Sequence, residues 1–161
     1  MDALFRQIRG VNDVVCGYAG GITIHPNYKE VCQGTSGHAE VVKIIFDDVT
    51  ISYEKLLELF WLLHDPTTLN QQGADRGTQY RSIVIAQDDS QYNQAHDVRN
   101  RMQSYWQEPI VTEISPIVTF YDAESYHQNY FERNPYQGYC QVVIAPKIEK
   151  LRKEFFNSLR V

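Results

Sequence analysis

The sequence predicts a fold of the α/β or α+β class, a single domain over residues 1–161 with one mixed central sheet and flanking helices. Three observations predict it. Apolar runs of strand length, Val41 to Phe46 among them, are bounded by glycines and polar turns. Two longer stretches, beginning at Ser52 and Ser90, repeat apolar residues at helical spacing. Strand and helix patterns alternate in the first half of the chain and then mix, an order that packs helices against a sheet of mixed pairing. A domain of 161 residues removes roughly two thirds of the unfolded chain's surface from water, so no disulfide or metal is needed to hold it.

Taken in order, Leu4, Phe5 and Ile8 recur at helical spacing, and Gly10 is a natural stop for that opening helix. Residues 11–18 read as a strand, with Gly17, Gly20 and Gly21 permitting a tight bend after it. Residues 22–37 read as a long loop around Pro26-Asn27-Tyr28. Residues 39–47 are a strand apolar enough to be covered on both faces. Ser52 caps a helix whose Tyr53, Leu56, Leu57, Phe60 and Leu63 share a face, and Asp65-Pro66 ends it. A second long polar loop, residues 67–80, leads into a strand over residues 81–86. Ser90 then caps a helix carrying Ala95, Val98, Met102 and Tyr105, and strand material over residues 110–121 is broken at Pro116. A shorter helix over residues 123–133 precedes the turn Asn134-Pro135-Tyr136-Gln137-Gly138. Residues 139–145 read as extended and apolar, and a last helix carries Ile148, Leu151, Phe155 and Leu159 on one face.

Fifteen basic against 20 acidic residues give a net charge of −5 with neither sign gathered into a block, which argues against a nucleic-acid partner. No apolar run approaches the roughly 20 residues of a membrane helix, and the opening is not a signal-peptide pattern, so no membrane association and a cytoplasmic location are expected. Cys16, Cys32 and Cys140 have neither CxxC nor Cys/His ligand spacing, so neither a disulfide framework nor a metal site is expected.

Glu40 stands where a glycine-punctuated loop meets the apolar run from Val41. A carboxylate bordered by packed apolar residues loses hydration, its pKa rises, and near neutral pH it holds a proton that it can donate. The plainer reading of the same pattern is a Glu opening an edge strand with its head in solvent. Each of the two long loops brings a Tyr and an acid toward a strand, Tyr28 with Glu40 and Asp75 with Tyr80. Phenols beside a protonated carboxyl are donors converging on one acceptor, which suits a polar oxygen on a neutral substrate. Removing such an oxygen also needs an electron source, and a cysteine thiolate is the simplest.

Six blocks sharpen this reading: Gly17-Tyr18-Ala19-Gly20-Gly21, Asn27-Tyr28-Lys29-Glu30-Val31-Cys32, Gly37-His38-Ala39-Glu40, His64-Asp65-Pro66-Thr67, Asp75-Arg76-Gly77-Thr78-Gln79-Tyr80-Arg81-Ser82 and Asn134-Pro135-Tyr136. In order and spacing, over nearly the whole chain, they resemble peptide methionine sulfoxide reductase A. The resemblance implies a mixed sheet with a ferredoxin-like core and reduction of the S epimer of methionine sulfoxide, free or in oxidised proteins. It implies that Glu40 protonates the sulfoxide oxygen, that Tyr28 and Tyr80 hydrogen-bond it, and that Asp75 helps order the pocket. In the family an attacking cysteine becomes a sulfenic acid, a second cysteine resolves it as a disulfide, and thioredoxin restores the thiols, so a thiol reductant is needed and no bound cofactor.

One part of the family pattern is absent. Its nucleophile lies in a Gly-Cys-Phe-Trp-Gly motif that, by the spacing of the other blocks, would end immediately before Met1 and does not occur in these residues. The chain is therefore expected to hold the acid and the oxygen-binding tyrosines without the attacking sulfur, and to be inactive in this form. The leading expectation is a start set too late, at an internal Met1. The alternatives are a non-catalytic relative that binds methionine sulfoxide or methionine, and attack by one of the three cysteines present. Cys140 is the possible resolving cysteine, because the run from Asn134 resembles the family's resolving segment, although residues 141–144 read as an ordered strand that would hinder its swing. Cys16, in an apolar strand, should be inert, and Cys32 is a loop or core residue. His38 and His64 are expected to be structural.

Overall fold

The computed structural model describes residues 1–160. Its elements run α1 (Asp2–Phe5), β1 (Val11–Ala19), α2 (Tyr28–Cys32), β2 (Ala39–Phe46), α3 (Tyr53–Leu63), the short pair β3 (Gln71–Gln72) and β4 (Asp75–Arg76), β5 (Ile83–Ile85), α4 (Asp89–Met102), β6 (Glu113–Ser115), β7 (Phe120–Asp122), α5 (Tyr130–Arg133) and α6 (Ala145–Glu154). The class is mixed α/β, as the sequence indicates. Strand pairing is divided, however, between ladders. β1 is the middle strand of an antiparallel sheet with β2 and β7 at its sides, whereas β5 and β6 pair in parallel. Within the antiparallel sheet, Tyr18 stands directly opposite Glu40 on one side and Tyr121 on the other, so the three side chains share a face.

The organising helix is α3. Ser52 Oγ accepts from the Lys55 amide at 3.2 Å and opens it, as expected. One side of α3, with Leu56, Leu59 and Leu63, packs with α1, β1 and α6. Its other side, with Leu57 and the fully buried Trp61, packs on Val84 of β5 and on Ala95 and Val98 of α4. A helix that serves two clusters carries apolar residues around much of its circumference. The single stripe read from the sequence therefore omits Leu59 and Trp61.

Several expectations are corrected, and the helices α4 and α6 end at Met102 and Glu154, short of Tyr105 and of Phe155 and Leu159. β2 is an edge strand with one open face, where Ile45 is 45% exposed; it is not covered on both sides. α4 is capped by Asp88, whose Oδ1 accepts from the Gln91 amide at 2.7 Å, and not by Ser90. The helix expected over residues 123–133 shrinks to α5. Residues 140–144 form a π-helical turn that runs into α6, not a strand. Cys140, Ile144, Ile148 and Leu151 recur at helical spacing toward the interior, and that burial overrides the β preference of Val142, Val143 and Ile144.

Candidate active site

The loop over residues 22–37, read as irregular, contains α2. Asn27 and Glu30 form a reciprocal cap, with Asn27 Oδ1 accepting from the Glu30 amide and Glu30 Oε2 from the Asn27 amide, each at 3.1 Å. An Asn followed three residues later by Glu is the sequence signal that would have found it. Tyr28 is thereby the first residue of a helix and not a loop side chain. The residue is 38% exposed. The Cys32 thiol, one turn along α2, is the largest cause holding the Tyr28 phenol above its ordinary pKa, followed by burial and the charge of Glu40.

Glu40 lies second in β2, at the lip where the loop enters the sheet. It does open an edge strand and reach solvent. Loss of hydration at the carboxyl nevertheless raises its pKa, and the negative charge of Asp75 raises it further. Asp75 sits in the β3–β4 hairpin, and a 3₁₀ turn over Thr78–Tyr80 carries Tyr80 back toward the same place. This turn requires glycine before it: Gly77 has φ of +143°, and a Cβ there would come within 2.2 Å of Gln79 Oε1. Gln79 is buried and donates to the Cys32 carbonyl at 3.2 Å, which fastens the second loop to α2. Burial raises the Tyr80 phenol's pKa, and Glu40, Cys32 and Asp75 add to it.

Glu40 thus feels the charge of Asp75, and the Tyr28 and Tyr80 phenols feel that of Glu40, from three separate stretches of the chain. The raised phenols remain protonated donors at neutral pH, and the raised carboxyl of Glu40 keeps a larger share of its acid form than an ordinary Glu. The same surroundings include Tyr139, whose phenol is raised by burial and then by Asp75 and Glu40. Sequence reasoning did not single out Tyr139, Tyr18 or Glu124, because nothing in their local patterns announces contacts made across the fold.

His38 and His64 are structural, as expected. His38 Nδ1 accepts from the Gly21 amide at 3.1 Å while Nε2 donates to the Thr23 carbonyl at 2.8 Å, which pins the loop after β1. Gly21 permits this closeness: a Cβ there would lie 2.4 Å from the His38 backbone nitrogen and 2.6 Å from its ring Cδ2. His64 belongs to a buried hydrogen-bonded chain described below. Of the cysteines, Cys140 is fully buried, and burial pushes the Cys16 thiol up to about 11. Among the described residues no cluster of three or more His, Cys, Asp or Glu is arranged to hold a metal ion, and no helix is long and apolar enough to cross a membrane.

The family model described as peptide methionine sulfoxide reductase matches residues 1–159. This chain belongs to the peptide methionine sulfoxide reductase family. Membership in this oxidoreductase family is equally plain from individual relatives. A protein named peptide methionine sulfoxide reductase MsrA from Clavibacter michiganensis subsp. michiganensis is 48% identical over 160 residues, 99% of this chain and 91% of that protein. The reduced form of Mxr1 from Saccharomyces cerevisiae superposes with a TM-score of 0.78 at 38% identity, over 81% of this chain and 76% of that one. Mxr1 in complex with Trx2 is also similar, at a TM-score of 0.52 and 29% identity, over 71% of this chain and 64% of that one.

Proposed function

We propose that this site reduces methionine S-sulfoxide, free or within oxidised proteins, with Glu40 as proton donor and Tyr28 and Tyr80 as hydrogen-bond donors to the sulfoxide oxygen. The observation that carries the reading is the placement of Tyr28 at the start of α2, Glu40 at the lip of β2, and Asp75 and Tyr80 on a loop that Gln79 fastens to α2. There, loss of hydration and the charge of Asp75 raise the Glu40 pKa beside phenols that are protonated at neutral pH. A sulfoxide is a neutral group with one strongly accepting oxygen. Protonating that oxygen makes the sulfur electrophilic, so a thiolate can attack it. Oxygen then passes to the attacking sulfur, giving one methionine and one sulfenic acid. A second thiol condenses with the sulfenic acid to a disulfide and releases water, and two electrons from a dithiol restore both thiols. Asp75 acts here by raising Glu40 and ordering its loop.

The attacking thiol is assigned to the cysteine of the family's Gly-Cys-Phe-Trp-Gly motif. Burial of Cys16 and Cys140 argues against either as the initial nucleophile. Cys140 follows Tyr139, which feels the charges of Glu40 and Asp75, and it is the proposed resolving thiol; reaching the site requires the π-helical turn at residues 140–144 to unwind. Thioredoxin is the proposed reductant, supported by the similarity to Mxr1 in its complex with Trx2.

The test is turnover of a methyl sulfoxide with dithiothreitol by this chain and by a version carrying the Gly-Cys-Phe-Trp-Gly motif ahead of Met1. Turnover by the second, lost on Glu40→Gln, is the expected result. Absence of turnover with the motif in place would overturn the reading, and turnover by the shorter chain would return the attack to Cys16, Cys32 or Cys140.

A further inference from the structure

One carboxylate outside the four proposed site residues touches the site from behind. Glu124 lies between β7 and α5, and its two oxygens are spent on two different elements. Oε2 accepts from the Tyr18 hydroxyl of β1 at 2.7 Å, and Oε1 accepts from the Tyr28 amide at 2.8 Å. That amide is among those a helix start leaves without a partner. Since α2 is five residues long, few bonds of its own set its direction, and the outside acceptor joins the Asn27 cap in orienting its first turn.

The same segment holds Tyr28 from a second side. The His127 ring packs against the Tyr28 ring at 4.6 Å between centroids and against Tyr126 at 4.4 Å. His127 Nε2 is buried without a hydrogen-bond partner, 3.9 Å from Glu124 Oε2. Burial lowers the His127 pKa against the opposing charge of Glu124, so the ring packs as a neutral aromatic at neutral pH. On the far side of the clamp, Tyr18 is the register partner of Glu40. A single carboxylate therefore connects the strand position facing the proton donor to the helix that carries the phenol.

We propose that Glu124 is the positioning residue for Tyr28, fixing through Tyr18 the placement of the Tyr28 phenol relative to Glu40. This rests on the reading of Tyr28 as a donor to the sulfoxide oxygen. Glutamine at residue 124 offers one acceptor oxygen where two donors must be met, so it cannot hold Tyr18 and the Tyr28 amide together. Partial burial works against ionisation of Glu124, yet the bonds from the Tyr28 amide, its own amide and the Tyr18 hydroxyl hold its pKa below the usual range, so the anion is the working form at neutral pH.

The experiment is a double-mutant cycle read by titration calorimetry of the whole chain with N-acetyl methionine sulfoxide amide. Tyr28→Phe is expected to weaken binding about fivefold, the loss of one hydrogen bond. Glu124→Gln and Tyr18→Phe should each weaken it about threefold on the natural background and leave it unchanged on the Tyr28→Phe background. On a Tyr80→Phe background the same substitutions should add in full. A residue that merely supports the fold would weaken binding alike on all backgrounds, and that result overturns the proposal. Tyr18→Phe keeps the buried ring, so it serves if Glu124→Gln fails to fold. Unchanged binding in both variants, with Tyr28→Phe still impaired, overturns the positioning role and leaves the site reading standing. Loss of any effect from both Tyr28→Phe and Glu40→Gln, or no binding by the unsubstituted chain, overturns both.

Discussion

As the proposed proton donor, Glu40 must reach a substrate from solvent and yet keep a proton that an open carboxylate readily gives up. Placement at the lip of an edge strand, beside Asp75, meets both requirements. Because the acid form is the proposed donor, turnover by the version carrying the Gly-Cys-Phe-Trp-Gly motif should decline as pH rises through its elevated pKa, and Glu40→Gln in that version should lower kcat about a hundredfold, the scale of one general acid. The same elevation has a cost in stability with a definite sign. Between the unfolded and folded pKa values the native state binds the extra proton, so stability falls as pH rises through that window. Glu40→Gln should therefore raise the melting temperature near neutral pH and lose this advantage below about pH 4, where both forms of Glu40 are protonated. Equal melting temperatures at neutral pH would show that the carboxyl is not strained in the fold. Cys16 offers a second residue-level check. With its pKa pushed to about 11, it should resist alkylation at neutral pH, as peptide mapping would reveal by comparison with the denatured chain.

At the scale of elements, α2 is the smallest α-helix on which the proposed chemistry depends. Its reciprocal cap between Asn27 and Glu30 is most of what a five-residue helix has to hold itself. Asn27→Ala should cost about 1 kcal/mol of stability and weaken sulfoxide binding, since Tyr28 follows the cap directly; unchanged affinity would mean that Glu124 alone orients the helix. α2 was nonetheless legible only in retrospect, because the glycines and proline around it outweigh one Asn-x-x-Glu pair. Elements whose caps and periodicity agree, such as α3 after Ser52 and β1 after Gly10, were readable directly. Residues 140–144 were not, for the local preference of Val142, Val143 and Ile144 points to a strand while the burial of Cys140 calls for a helix. For the site, the motif blocks were enough to single out Glu40, Tyr28, Asp75 and Tyr80. Glu124 escaped because its partners lie 106 and 96 residues away in the chain, and no local pattern encodes a contact of that range.

On the scale of the whole molecule, the parallel ladder must be tied to the helix that both apolar clusters share. A buried chain of hydrogen bonds does this. Trp61 Nε1 of α3 donates to Thr112 Oγ1 at 2.9 Å, Thr112 and Ser82 hydroxyls meet at 2.8 Å, and Ser82 Oγ meets His64 Nε2 at 2.7 Å. His64 Nδ1 closes the chain on the Phe60 carbonyl at 2.5 Å. A carbonyl can only accept, so Nδ1 carries the ring proton, Nε2 is the acceptor, and every hydroxyl in the chain has one direction of donation left. Protonating Nε2 would remove that acceptor. Burial already lowers the His64 pKa to about 4, against the raising effect of the Phe60 carbonyl. A depressed histidine pKa means that the unfolded chain takes up the proton first as pH falls. Its contribution is therefore complete above about pH 6.5 and drains away as pH falls toward about 4, a loss on the order of 3 kcal/mol. Other groups titrate in the same range, so the measurement is a comparison. His64→Gln should be less stable than the natural chain at neutral pH and should show a flatter decline in its urea midpoint between about pH 6.5 and about pH 4. Parallel declines in the two proteins would mean that His64 is not the group whose charging loosens the tie between α3 and the parallel ladder.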